Sequence, residues 1–218
     1  MPFLYIRPAN DKIALHYSAP GRNINNEETD PPLMIQDKLK KGTVGINSFD
    51  GSLRGSGFFL HDSSTIITNA HVVGDSDEVD VTPHTGDRYR CQVKVSEMGE
   101  VMDYAVLEPV REIPDVEPIG WYPNQQSSLG DNLYFAGKPL GLDDIIVQAA
   151  KKSGTDDDGW VYLDGSVNKG NSGGPVVDAA GRILGIVTTK AFASSEEYDE
   201  LRQMASELTQ SAKNARGY

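Results

Sequence analysis

Three short segments of the chain carry side chains that could together hydrolyse an acyl bond. Ser172 lies in the glycine-rich run Gly170-Asn171-Ser172-Gly173-Gly174-Pro175, where a small nucleophile could sit among backbone N–H groups. A neutral serine hydroxyl is a weak nucleophile and needs a base within hydrogen-bond reach. His71, in Thr68-Asn69-Ala70-His71-Val72-Val73, is the candidate base, and Asp103 is the candidate to orient its imidazole. The pattern indicates nucleophilic acyl transfer.

Acyl transfer also requires donors for the negative charge that develops on the carbonyl oxygen of the substrate. The backbone N–H groups of Gly170 and Ser172 are the predicted oxyanion donors, and Gly173 permits a tight turn behind them. Along the chain the set runs His71, then Asp103, then Ser172, which is one of the known orders for such triads. The sequence therefore predicts a serine endopeptidase that hydrolyses peptide bonds through an acyl-enzyme intermediate.

Each of the three residues has a plainer interpretation when it is taken alone. A serine among glycines is usually part of a loop, a single histidine is usually packed or solvated, and Asp103 is one of 32 acidic residues. Their ordered combination in a β-rich chain favours catalysis. A non-catalytic module that keeps the fold and captures peptides is the main alternative. An esterase of another fold is disfavoured, because the serine does not lie in a strand-to-helix elbow and the base precedes it.

The segments around these residues resemble the trypsin-like superfamily, and most closely the bacterial HtrA-like (Deg) proteases. Gly55-Ser56-Gly57-Phe58-Phe59-Leu60, followed by the His71 segment, is similar to the histidine region of that family. Asp103-Tyr104-Ala105-Val106-Leu107 is similar to its aspartate region, and the Ser172 segment to its serine region. The resemblance covers about residues 42–190.

The resemblance implies an all-β fold of two perpendicular six-stranded antiparallel β-barrels, of the chymotrypsin-like kind, with the site in the cleft between them. His71 and Asp103 would come from the first barrel and Ser172 from the second. No cofactor and no metal ion belong to this chemistry. The acidic run 156–159 lacks the alternating ligand spacing of a calcium loop, so we expect an exposed turn there.

By position, the resemblance places the floor of the specificity pocket at Ser166 and its walls along Ile186, Val187 and Thr188. Because Ser166 is not acidic, we expect a neutral or aliphatic side chain at the cleavage site in place of Arg or Lys. The segment 186–188 is expected to pair with a protein or peptide substrate as an added strand.

Outside the protease segments the resemblance ends. HtrA-like proteases usually carry a PDZ domain after the protease domain, and we expect none here, because the residues after 190 are too few for one. The loops 137–144 and 164–170 are rich in Gly and Asp, so we expect them to be mobile. These features support a further hypothesis, in which the protease is latent until a regulatory partner protein orders the loops.

From residue 43 onward, short strand-like runs alternate with turn-forming clusters, which is typical of a barrel or sandwich. Helices are predicted over 33–40 and, from an apolar stripe at three- and four-residue steps, over 196–213. The predicted parts are an N-terminal extension 1–41, a protease domain 42–192 and a C-terminal amphipathic helix in 193–218. The predicted strands are 13–17, 43–49, 55–60, 65–68, 78–81, 89–95, 104–107, 132–136, 145–149, 160–163, 176–177 and 183–188.

The composition narrows the partners and the compartment. The 218 residues carry a net charge of −12, which repels phosphate backbones and disfavours nucleic acid as a partner. Cys91 is the only cysteine, so an internal disulfide is impossible. No apolar run has the length of a membrane span or of a signal-peptide core. These features lead us to expect a cytoplasmic protein that does not bind membranes, and the resemblance to bacterial HtrA-like proteases implies a bacterial source.

Overall fold

The structure is a computed structural model that describes residues 5–8, 31–99, 103–121, 127–139, 142–156 and 160–188. The predicted strand 13–17, the predicted helix 196–213 and most of the acidic turn lie outside these residues. Among the described residues, no helix is long and apolar enough to cross a membrane.

In chain order the elements are β1 (Tyr5–Pro8), α1 (Leu33–Gly42), β2 (Thr43–Asn47), β3 (Leu53–Phe59), β4 (Ile66–Thr68), α2 (Ala70–Val73), β5 (Glu78–Thr82), β6 (Tyr89–Met98), β7 (Asp103–Pro109), β8 (Asn132–Gly137), β9 (Ile146–Thr155), β10 (Val161–Asp164), β11 (Pro175–Val177) and β12 (Ile183–Val187).

The first barrel contains β2 to β7 in the order β2-β3-β4-β7-β6-β5 and closes through pairing of β2 with β5. Every described pairing in it is antiparallel. Alternate side chains of a strand point to opposite faces, and on β7 this turns Asp103, Ala105 and Leu107 inward. The buried side chains fill the barrel, as the sequence predicted for a chymotrypsin-like all-β fold.

The second barrel has the order β1-β10-β9-β8-β11-β12 and closes through β1. This strand runs parallel to both of its neighbours, with Ile6 opposite Val161 of β10 and Val187 of β12. The second barrel differs from the predicted one in two respects. Residues 1–41 were predicted to be an extension, and all strand pairings were expected to be antiparallel. A strand from the N-terminal segment occupies the sixth position of this barrel, and the remaining pairings are antiparallel.

The two barrels share an apolar interface that holds them in contact. Neighbouring residues on β3 divide between the two sides: Phe59 belongs to the core of the first barrel, whereas Phe58 packs against residues of the second. Ile66 and Ile67 on β4 divide in the same way. Both faces of the β3–β4 pair are therefore buried, one inside the barrel and one between the barrels, which places the ends of these strands next to the second barrel.

Helix α1 begins at Leu33 and ends at Gly42, two residues beyond the predicted 33–40. Its buried residues Ile35 and Leu39 join the interface cluster, whereas Leu33 is exposed. A side chain at Gly42 would place a Cβ atom 2.7 Å from the carbonyl oxygen of Glu117, so only glycine allows the helix to end this close to that segment. The helix thus packs its buried face into the apolar interface between the barrels.

Candidate active site

His71 and Asp103 are brought together by the pairing of β4 with β7. Thr68, the last residue of β4, lies opposite Ala105, and α2 begins two residues later. Asp103 is the first residue of β7, so its side chain lies beside the helix that carries His71. The side-chain amide of Asn69 donates to the main-chain carbonyl of Asp103 at 2.7 Å and fixes the strand end against the helix.

Asp103 accepts two hydrogen bonds from His71 that together define the orientation of the imidazole. Its Oδ1 accepts the main-chain N–H of His71 at 3.0 Å, and its Oδ2 lies 2.6 Å from the ring Nδ1. The carboxylate side chain is only 3% exposed, whereas the imidazole is 27% exposed. A buried carboxylate with this geometry holds the proton on Nδ1 and turns Nε2 away from Asp103, as a general base requires.

Ser172 lies in the loop between β10 and β11, and the main chain of this loop is tightly held. The N–H of Gly173 donates to the carbonyl of Val187, and the N–H of Val187 donates to the carbonyl of Gly174, both at 2.8 Å. Gly173 has φ +88°, and a Cβ atom there would fall on the Ser56 carbonyl oxygen. Only glycine fits at this position, because both the conformation and the space exclude a side chain.

The serine loop of the second barrel docks against the helix of the first. A Cβ atom added to Gly55 would lie 2.8 Å from the Ser172 carbonyl oxygen and 2.6 Å from a methyl group of Val72. Gly55 therefore lies between Ser172 and the residue that follows His71. The main-chain N–H of Ser56 donates to the same Ser172 carbonyl at 2.7 Å. The structure thus brings the neighbourhoods of His71, Asp103 and Ser172 together at the junction of the barrels.

Three N–H groups of the loop donate hydrogen bonds that stabilise its turn. The N–H groups of Asn171 and Gly174 donate to carbonyls within the loop, each at 3.0 Å, and that of Gly173 donates to Val187. The predicted donors, Gly170 and Ser172, alternate with these groups along the chain. Gly170 has φ +98°, a conformation that side-chain-bearing residues rarely adopt. The roles of Gly170 and Ser172 as oxyanion donors stay a prediction.

The predicted specificity residues occupy two different environments. Ser166 is exposed in the loop after β10, whereas Ile186, Val187 and Thr188 are each about 1% exposed. At Ile186 and Val187, β12 pairs with β11 on one side and with β1 on the other. The pairing of 186–188 with a substrate strand stays a prediction. Thr188 follows β12, and among the described residues its hydroxyl has no hydrogen-bond partner.

Sequence reasoning missed three polar residues that shape the site. Asn69 clamps the strand that begins at Asp103. Ser56 is fully buried and bonds to several parts of the serine loop. Asn171 is about 1% exposed, and among the described residues neither polar atom of its side chain has a hydrogen-bond partner. The sequence offered one signal for two of them, because Asn69 and Asn171 lie close to the predicted base and nucleophile.

Comparisons with known proteins agree with this arrangement. Residues 55–186 match the family model described as a trypsin-like peptidase domain. A putative serine protease HhoA of Synechocystis sp. is 36% identical over 147 residues, which is 62% of this chain and 36% of that protein. The mouse serine protease HTRA4 is 31% identical over 174 residues, which is 74% of this chain and 35% of that protein. This chain thus spans about a third of the length of these relatives.

Solved structures show the same likeness. The serine endoprotease of Yersinia pestis superposes with a TM-score of 0.61 and 26% identity, covering 75% of this chain and 60% of that one. The Rv3671c protease in its inactive form gives a TM-score of 0.60 at 24% identity, covering 75% of this chain and 84% of that one, and shows the shared fold. The resemblance read from the sequence is confirmed: the chain belongs to the trypsin-like peptidase family, with serine proteases of the HtrA type among its relatives.

Proposed function

We propose that this chain is a serine endopeptidase in which His71, Asp103 and Ser172 form the catalytic triad. The observation that carries the proposal is the pair of hydrogen bonds from His71 to the buried Asp103 carboxylate, at a junction where the Ser172 loop docks. Family membership supports the reaction class, and the geometry supports the roles of the individual residues.

The reaction follows from these roles. His71 Nε2 takes the proton of the Ser172 hydroxyl as Oγ forms a bond to the carbonyl carbon of the scissile peptide. The carbonyl π electrons move to oxygen, where the N–H groups of Gly170 and Ser172 stabilise the charge. The peptide C–N bond then breaks, and the imidazolium gives its proton to the leaving amine. Water hydrolyses the resulting acyl-enzyme by the same steps and regenerates Ser172.

A fluorophosphonate probe tests this proposal without knowledge of the natural substrate. We expect covalent labelling of the wild-type protein at Ser172, mapped by peptide mass analysis, and none in the Ser172→Ala variant. Casein cleavage should be lost in the same variant. Ser63→Ala is the matched control, because it removes an exposed serine hydroxyl from a turn outside the proposed site. Wild-type protein that is folded but never labelled would favour the peptide-binding alternative.

A finer part of the proposal concerns the cleavage site. Ser166 is neutral and exposed, and we propose that the enzyme prefers a neutral or aliphatic side chain before the scissile bond. The test is a peptide library profile of the wild-type enzyme. Clear dominance of Arg or Lys at that position would overturn the preference but not the triad.

We also propose that the enzyme is latent until a partner protein binds, labelling slowly at Ser172 but cleaving protein substrates poorly when alone. The supporting observation is the Asn171 carboxamide, which is buried next to the nucleophile and has no hydrogen-bond partner in the part of the chain that the structure describes. A buried polar group in this condition costs about 1–3 kcal/mol, so a loop rearrangement that satisfies the amide would be favourable. Casein assays with and without candidate partners test this idea. Full activity of the purified protein alone, with no stimulation, would contradict it.

A further inference from the structure

Ser56 forms four hydrogen bonds at the junction of the two barrels. Its hydroxyl donates to the carbonyl of Gly170 at 2.6 Å and accepts the N–H of Lys138 at 2.8 Å. Its main-chain N–H donates to the carbonyl of Ser172 at 2.7 Å, and its own carbonyl accepts the Thr68 hydroxyl at 2.6 Å. The residue has no solvent exposure, so water cannot replace these bonds.

Two of these bonds, to the carbonyls of Gly170 and Ser172, connect Ser56 to the serine loop. A hydrogen bond restrains the direction of the accepting carbonyl, and because the peptide bond is planar it also restrains the N–H of the following residue. Ser56 therefore restrains the peptide that follows Gly170 and the peptide that follows Ser172. The peptide between them carries the N–H of Ser172, and the conformation of Gly170 sets the direction of its own N–H. Both predicted oxyanion donors thus depend on the peptides that Ser56 restrains.

The loop needs such an anchor because its own residues do not fix its conformation. Gly170 has φ +98°, and glycine populates several conformations with similar ease. The Ser56 main-chain bond would survive any substitution except proline, whereas the bond to Gly170 depends on the side-chain hydroxyl alone. Alanine at position 56 would also leave the Lys138 N–H and the Gly170 carbonyl without their partner.

We propose that Ser56 is a positioning residue. By holding the Gly170 carbonyl, it keeps the N–H groups of Gly170 and Ser172, which lie on the two flanking peptides, in the orientation needed to stabilise the oxyanion. The inference rests on the proposed serine peptidase function. The hydroxyl of a first-barrel residue thus acts on transition-state stabilisation through the loop of the second barrel. Ser56 touches neither the substrate nor the reacting atoms in this account.

The test compares Ser56→Ala with Thr82→Val in the full chain. Thr82→Val also removes a buried hydroxyl, which accepts a 2.8 Å hydrogen bond from Asn47 elsewhere in the first barrel. For each protein we would measure the fraction labelled by a fluorophosphonate, the second-order labelling rate, and kcat and KM for a peptide substrate. Hydrogen exchange of the peptide covering 168–176 reports the loop directly and needs no activity.

For Ser56→Ala we expect labelling rate and kcat to fall about 10- to 100-fold, somewhat less than the ~10²–10³ for direct loss of an oxyanion donor. KM should change less than about twofold, because the lost interaction acts mainly in the transition state. Exchange in 168–176 should accelerate. Thr82→Val should lower the melting temperature and leave all of these unchanged.

A fall in the labelled fraction alone, with an unchanged rate per labelled site, would reduce Ser56 to a structural role and overturn the inference. The same holds if exchange in 168–176 is unchanged. Absence of labelling in wild-type protein would instead refute the proposed function. In that case the exchange of Ser56→Ala still decides whether the hydroxyl holds the loop.

Discussion

Replacing Asp103 with asparagine should disable the base while the fold stays intact. The carboxylate has two acceptor oxygens in use, Oδ1 toward the main-chain N–H of His71 and Oδ2 toward Nδ1. Asparagine offers one acceptor and one donor. If its oxygen keeps the main-chain N–H, its NH2 group faces Nδ1. The imidazole must then carry its proton on Nε2, where it cannot accept the proton of Ser172.

The magnitude follows from the two possible amide orientations. Turning the amide round would restore the imidazole tautomer, but its NH2 group would then face the His71 N–H at about the present 3.0 Å. Leaving those donors unsatisfied costs about 1–3 kcal/mol, which is roughly a 5- to 150-fold population penalty. The variant also loses the carboxylate charge that stabilises the imidazolium. In the best-studied triad of this kind the same exchange lowers kcat about 10⁴-fold, and we expect about 10³ to 10⁴ here.

The assay is kcat/KM for a peptide substrate, together with the fluorophosphonate labelling rate and the melting temperature. Asp115→Asn is the matched control, because Asp115 also contacts a histidine, His84, at 3.2 Å but is an exposed surface residue. We expect the control to retain full activity. A loss of less than about tenfold in a folded Asp103→Asn variant would refute the proposed role of Asp103.

Further predictions concern stability. Gly173→Ala should prevent folding or abolish labelling, because its Cβ atom would meet the Ser56 carbonyl; Gly86→Ala shares φ +88° but meets nothing within 4 Å, so it should cost only about 1 kcal/mol in chemical denaturation. Equal costs would contradict this reasoning. Burial raises the pKa of the Cys91 thiol to about 12, so above its ordinary value of 9.0 the unfolded chain releases a proton that the folded chain keeps. The unfolding free energy should therefore fall by roughly 1 kcal/mol between about pH 8 and about pH 10, and Cys91→Ala should lack this component. The same pH slope in both proteins would argue against a buried, protonated thiol.

The sequence was sufficient for the features that depend on local pattern. The short apolar runs between turns predicted a barrel or sandwich, and the family resemblance implied the two barrels that the structure shows. Strand lengths were harder to predict. The predicted strand 89–95 extends to Met98, because exposed residues continue to pair with β7 as far as Met98 opposite Asp103. The strand end was predicted from the alternation of apolar and polar residues, and this alternation stops before the strand pairing does.

Features that depend on distant contacts could not be predicted from the sequence. The strand Tyr5–Pro8 pairs with β10 and β12. The sequence near residues 5–8 does not indicate that these distant strands are its partners. Ser56 lies 114 residues from Gly170, so its bond to the loop is a product of barrel packing. The pairing of β1 with Ile186 and Val187 of β12 likewise joins residues far apart along the chain.

In the proposed mechanism, Ser172 acts as a nucleophile that is activated by His71, and Asp103 orients the imidazole of His71. The most direct measurement is the rate of fluorophosphonate labelling at Ser172 in wild-type protein and in His71→Ala. We predict specific labelling of Ser172 in the wild type and a loss of about 10³-fold or more in rate in the folded variant, since a serine without its base is a weak nucleophile. Equal labelling rates, or labelling at a residue other than Ser172, would contradict the account.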